Sequence, residues 1–269
     1  MGSHLFPSRT QQLSPPAPKI LRTSVLGKIG QGRDLKRLRC ASIEVVFFLP
    51  QSPQDAREDG VILVIEGPSA SGKTTWVQRH AGASAIAETV PPADAPRLEL
   101  DPRRTLDTWQ RWNEARWAAA IELEQRSGLA VTDSDPLKLH YIWCLFQIGR
   151  AAESEWEYAA SLARAAFAAG SLGIADRICV AHVDEAELRR RKDGDPTRRR
   201  GSFELHVVLA EPLCRRYEAV ATLEPGRVSW GLPDRMPAGV SRDRRDGPLL
   251  FDELMRAVQA RSDPRPPSN

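Results

Sequence analysis

The stretch Val61 to Val77, VILVIEGPSASGKTTWV, limits what this chain can fold into more than any other. Its opening run, Val61-Ile62-Leu63-Val64-Ile65, is short, apolar and rich in β-branched side chains. That pattern fits a strand covered on both faces in the middle of a parallel sheet. Gly67-Pro68-Ser69-Ala70-Ser71-Gly72-Lys73-Thr74 follows and satisfies every fixed position of the phosphate-binding pattern G-x-x-x-x-G-K-[ST]. Glycines and small residues let the backbone curl until successive N–H groups face one anion. A helix starting near Lys73 adds its positive end to the same spot. In such a cradle Gly67, Ser69, Ala70, Ser71 and Gly72 supply backbone, and Lys73 reaches the β- and γ-phosphates. The Thr74 hydroxyl ligates Mg²⁺, and Thr75 is placed to touch the α-phosphate. The expected ligand is a nucleoside triphosphate, ATP with Mg²⁺.

The composition narrows the class. In 269 residues, 41% are hydrophobic and 27% charged, as in an ordinary globular protein. A net charge of +3 is too mild to argue for a nucleic-acid partner. Cys40, Cys144, Cys179 and Cys214 lie far apart, which excludes a zinc site of the usual spacing and predicts free thiols. No apolar run approaches the ~18–20 residues that span a bilayer, and the N-terminus lacks a signal-peptide core. The expected location is cytoplasmic.

Three segments follow from the order of the chain. Residues 1–57 carry Pro7, Pro15, Pro16 and Pro18 among polar residues and many basic ones, so a basic, largely disordered extension is expected. A sharper alternative makes it an arm that contacts nucleic acid or a membrane surface, although no aromatic residues interleave its charges. Residues 58–261 read as one domain in which strands alternate with helices, and 262–269 as a disordered tail. After the first helix, Ser84 to Glu88 predicts a second strand, placed directly beside the first. Asp107 to Arg126 predicts a long helix, Gly128 to Thr132 a third strand, and Leu137 to Ile148 a helix buried nearly all round. Glu153 to Ala169, Glu185 to Lys192, Phe203 to Thr222 and Leu249 to Ala260 predict further helices. Arg177 to Val183 and Arg227 to Trp230 predict the last two strands. The fold class is therefore α/β, three layers around a mostly parallel five-stranded sheet. Ligands of such sheets bind outside the carboxyl ends of the strands, so Gly67, Glu88, Asp133 and Asp184 should share one rim.

Phosphoryl transfer needs a phosphate cradle, a metal, a base and cations over the migrating charge. Asp133, at the end of an apolar strand, is the natural metal-side carboxylate, while Asp135 before Pro136 suits a helix cap. Glu88 is placed to take a proton from an acceptor hydroxyl. Two arginine triplets, Arg189-Arg190-Arg191 and Arg198-Arg199-Arg200, flank a Gly/Pro turn. Guanidinium forks suit phosphate oxygens, so Arg190, Arg191 and Arg198 are candidates for a lid over the γ-phosphate. A helix puts Arg189 on a different face from Arg190 and Arg191, so only some of the set can serve. Trp109, Trp112, Trp117, Tyr141, Trp143 and Phe146 serve either as core or as walls of an acceptor pocket, core being the commoner fate. His140, His182 and His206 have no partners at metal or triad spacing and receive no role.

Together, GPSASGKTT, the Glu88 of AETVP, the Asp-bearing VTDSD and the Arg-rich segment after the fourth strand resemble P-loop small-molecule kinases, including nucleoside and nucleoside-monophosphate kinases and antibiotic-directed phosphotransferases. The resemblance covers roughly residues 60 to 230 and implies an enzyme that moves the γ-phosphate of ATP to a small-molecule acceptor. It implies that Glu88 binds and activates the acceptor hydroxyl and that Arg189 to Arg200 form a lid. The chain departs from the pattern in one place. Asp133-Ser134-Asp135 lacks the arginine expected after the third strand, which weakens the case for a nucleoside acceptor. The expected partner is a small-molecule phosphate acceptor, with no membrane and no nucleic acid, and a homodimer is compatible with the sequence. The alternative is an ATP-binding or ATP-hydrolysing regulatory protein with a nucleic-acid-contacting arm. Neither an Asn-Lys-x-Asp guanine motif nor a Leu-Ser-Gly-Gly signature is present.

Overall fold

A computed structural model describes residues 60–195, 201–237 and 245–261. The expected extension 1–57, the tail 262–269 and Arg198 lie outside the described residues. All described residues belong to the unit Pro50–Asn269.

Five parallel strands form the sheet: β1 (Val61–Glu66), β2 (Ala85–Ile86), β3 (Leu129–Asp133), β4 (Arg177–Val180) and β5 (Val228–Trp230), in spatial order β2-β3-β1-β4-β5. The phosphate-loop strand is thus central, and every residue of β1 is buried, as its continuous apolar run requires. One expectation is overturned here. The second strand does not neighbour the first, because β3 is inserted between them, pairing Leu63 with Val131 on one side and Ala85 with Val131 on the other.

Alternate β1 side chains feed two cores. Ile62 and Val64 join the larger one with Trp117, Trp143, Phe167 and Leu254. Leu63 and Ile65 join a smaller one with Trp76, Val77 and Cys179. The larger core is closed by α2 (Pro102–Ser127), α3 (Leu139–Gln147), α4 (Glu153–Ala169), α7 (Ala210–Leu223) and α8 (Pro248–Gln259), and the smaller by α1 (Lys73–His80). Helices on both faces make three layers. The remaining helices are α5 (Glu185–Asp193) and α6 (Phe203–Val208).

Local chemistry sets the helix ends. α2 begins where Asp101 accepts a hydrogen bond from Arg104 N (3.1 Å) and Pro102 supplies a helical φ. It therefore starts five residues before the apolar periodicity that marks it in the sequence. It ends at Gly128, whose φ of 80° is left-handed. The predicted helix from Phe203 to Thr222 is two helices, broken at Leu209.

At the amino-terminal edge of the sheet, a buried carboxylate extends the ladder. Asp176, 1% exposed, accepts from Ile62 N (2.7 Å) one residue before β4 begins. Arg245 holds the same carboxylate from Nε (2.7 Å) and also donates to Gly60 O (3.0 Å). Removing one partner of such a set strands a buried charge, so Asp176→Ala is expected to cost about 3 kcal/mol. Urea unfolding of the variant beside the parent chain measures this.

Candidate functional site

The loop Gly67 to Gly72 leaves β1 in a backbone path that glycine chemistry explains. Gly67 has φ 146°, and a Cβ there would come within 2.8 Å of the Ala181 Cβ. Gly72, just before α1, has φ 97°. Ala70 is left-handed at φ 67°, one of two non-glycine residues so placed among those described. The other is Ser134 (φ 72°), immediately after β3. Both strained positions border the same cavity.

Lys73 Nζ donates to Gly67 O (2.7 Å) and Pro68 O (3.3 Å), so its charge lies over the loop. Arg191 donates from Nη1 to Ser71 O (2.9 Å), and its Nε pairs with Glu187. Of the lid candidates among the described residues it is the one on the loop. Arg190 is 78% exposed, pairs with Glu187 and does not line the cavity. Its position one residue earlier turns it to another helix face. Arg189 pairs with Glu185 and Glu204.

The cavity measures about 1080 Å³ and is lined on one side by Gly67 to Thr75 and Arg191, and on the other by Glu66, Glu88, Asp133, Lys138, His140, Tyr141 and His206. Gly67, Glu88 and Asp133 therefore do share one rim. Asp184 does not reach it and instead caps α5, accepting from Glu187 N (2.8 Å). His140 and His206, given no role above, stand in the wall, brought there by the packing of α3 and α6.

Asp133 is 5% exposed with its Oδ1 unpartnered, and the Thr74 hydroxyl bonds the carboxyl. Burial raises its pKa, against the lowering effect of Thr74 and Lys73. A buried carboxylate with a spare oxygen beside a hydroxyl fits the protein share of a Mg²⁺ shell completed by phosphates and water. Among the described residues no group of three or more His, Cys, Asp or Glu could hold a metal alone. Glu88 is half-exposed and held by Lys138 through Oε1. Burial raises its pKa, but the charge and hydrogen bond of Lys138 outweigh that and keep it lowered.

Sequence reading missed Glu66. Its side chain closes β1, 4% exposed, and accepts from Gly67 N and Asp135 N (both 2.8 Å). His140 Nε2 stands 3.6 Å from the same carboxylate. Burial pushes the Glu66 pKa up, yet His140, Lys73, Lys138 and the Asp135 amide together bring it to about 2. A charged residue at the end of an otherwise apolar central strand was the available signal.

Arg116 was missed as well. From the middle of α2 it donates through Nη2 to Asp133 O (2.7 Å) and Ser134 O (2.8 Å), with Glu88, Asp135, Glu66 and Asp133 around it. An arginine thus stands at the end of β3 after all, supplied by another element. Asp135 accepts from Leu137 N (2.9 Å) and from Tyr217 OH (2.9 Å). It satisfies the turn ahead of α3, whose N-cap position is Lys138. Of the aromatic candidates, Trp117 and Trp143 are core, while Tyr141 lines the cavity.

No protein-family model and no curated protein sequence matches the chain. Solved structures similar to it include the deoxyadenosine kinase from M. mycoides with bound dATP, at TM-score 0.48 and 10% identity over 74% of this chain and 96% of that one. The same enzyme with bound dCTP gives TM-score 0.42 at 12% identity over 74% and 99%. With products dCMP and a flexible dCDP it gives 0.43 at 12% over 74% and 95%.

Burial raises the Asp135 pKa to about 6 from a usual 3.8. Between about pH 4 and 6 the folded chain therefore holds a proton that the unfolded chain has lost, so stability falls as pH rises through that window. Glu66 acts oppositely below its usual 4.5, its contribution fading as pH falls toward 2. Asp135→Asn should flatten the loss between pH 4.5 and 7, read as a smaller change in urea midpoint than the parent shows.

Proposed function

We propose that the chain is an ATP-dependent phosphotransferase that moves the γ-phosphate of ATP to a hydroxyl of a small molecule. One observation carries this reading. The phosphate cradle shares a single cavity of about 1080 Å³ with a second wall of carboxylates, a lysine and aromatic rings. Beside the phosphate chain a hydrolase needs room for one water, whereas this volume has room for an organic acceptor as well.

In this reading the backbone of Gly67 to Gly72, Lys73 and Thr75 hold the triphosphate, and Arg191 comes to it from α5 over Ser71. Thr74 and Asp133 would hold Mg²⁺, which when bound neutralises charge on the phosphate oxygens. The acceptor oxygen forms its bond to the γ-phosphorus as the bond to the β-phosphate oxygen breaks, and the hydroxyl proton passes to Glu88. Lys138 keeps Glu88 ionised and orients it. Both Glu66 oxygens already accept backbone N–H groups, which suits that carboxylate to holding the loop and the β3 end in register.

Incubation with ATP–Mg²⁺ and a panel of hydroxylated acceptors, read as ADP release, tests the assignment. Acceptor-dependent release is expected, and release indifferent to every acceptor would favour the hydrolytic alternative. Lys73→Ala should lower turnover by at least about a hundredfold with the circular dichroism unchanged. Glu88→Gln should lower kcat by about a hundredfold or more with nucleotide affinity retained. Unchanged kcat in Glu88→Gln would overturn Glu88 as the accepting carboxylate.

A further inference from the structure

Beside the main cavity lies a second one of about 470 Å³, and Pro91 and Tyr141 line both. Its floor is apolar and aromatic: Leu98 and Leu145 are buried core side chains, and Trp109 meets Tyr141 edge-on with ring centroids 5.7 Å apart. Pro91, Pro92 and Pro96 form the covering segment, and Arg97, Glu99 and Arg150 also line it. The Arg97 and Arg150 side chains make no ion pair or hydrogen bond among the described residues, and both residues are exposed. On α3, Tyr141 and Leu145 are one helical turn apart, so the same helix face runs from one cavity into the next.

Apolar side chains on a floor next to two uncommitted guanidiniums, which outnumber the one Glu99 carboxylate in the same lining, suit a flat, apolar group that carries a negative charge. The main cavity is already large enough for the phosphates and a hydroxyl-bearing ring. We propose that the second cavity takes the far part of the acceptor. The acceptor is then an elongated molecule with its hydroxyl toward Glu88, a flat apolar portion passing Tyr141 onto Trp109, and a carboxylate, sulfate or phosphate between Arg97 and Arg150. This rests on the phosphotransferase reading for the hydroxyl end alone, since the second cavity can be tested for binding by itself.

The first measurement uses two dyes that share a flat ring system, 8-anilinonaphthalene-1-sulfonate and the uncharged N-phenyl-1-naphthylamine, with the full chain and saturating ATP–Mg²⁺. Saturable binding of the anion, about tenfold tighter than the neutral dye, is expected. The Arg97→Glu, Arg150→Glu double variant, altered only at exposed positions, should abolish that preference, and Leu205→Trp should weaken both dyes by filling the space. Equal binding of the anion by the parent and the double variant would overturn the anionic end. Dye binding indifferent to Leu205→Trp would overturn the cavity. The second measurement compares hydroxyl-bearing aromatic carboxylates with their methyl esters as acceptors. The free acids should show about tenfold higher kcat/KM, a difference lost in the double variant. Equal rates for acid and ester, in a panel where some acceptor turns over, would overturn the proposal and leave the phosphotransferase reading standing. No turnover with any acceptor would instead defeat that reading, and the dye result would then decide the cavity.

Discussion

One buried carboxylate holds the two ends of the site together. Glu66 sits where the central strand gives way to the phosphate loop, and it accepts from the first amide of that loop and from an amide just past β3. Ionised carboxylates accept backbone N–H bonds more strongly than neutral groups do. The loop Gly67 to Gly72 and the turn after β3 are therefore fixed to one anion, and Ser134 N adds a bond back to Ile65 O (2.8 Å). The left-handed backbone of Ser134 is held between two of these bonds, its own and that of Asp135.

Around that anion the charges alternate. Lys73, Lys138, Glu88 and Asp133 line the cavity with it, and Arg116 and Asp135 are buried close by. Burial pushes each of these carboxyls upward, and their neighbours decide the outcome. Glu66 stays ionised far into acid, whereas Asp135 takes up a proton near pH 6. The two differ because Glu66 is flanked by lysines and an imidazole, whereas Asp135 feels the Glu66 charge and has only the Leu137 amide, the Tyr217 hydroxyl and Arg216 to oppose its desolvation.

Much of this was legible in the chain itself. The phosphate loop, the parallel sheet and the β3 carboxylate all rest on contiguous residues, where spacing and conformation are coupled. Strand order was not, because the choice between β2 and β3 as neighbour of β1 depends on which pair buries its faces best, and no local pattern records that. Glu66 escaped notice as the single charge closing an apolar run. Arg116 carries no local signal within its long helix, although it reaches two carbonyls on a strand end distant in sequence. His140 and His206 illustrate the same limit, since wall positions arise only when helices pack. The arginines divide by geometry alone, for Arg191 touches the loop while its immediate neighbour in sequence points to solvent.

The tight contact between Gly67 and Ala181 also says how the sequence is free to drift. A side chain on the loop's first residue would run into the residue just past β4, so position 67 has no room for even one added carbon. The glycine is thus imposed from the fourth strand as well as by the loop's own path, although nothing in the phosphate-binding pattern mentions position 181. A chain that keeps this backbone keeps position 67 bare, which makes the residue after the fourth strand a silent companion of the motif.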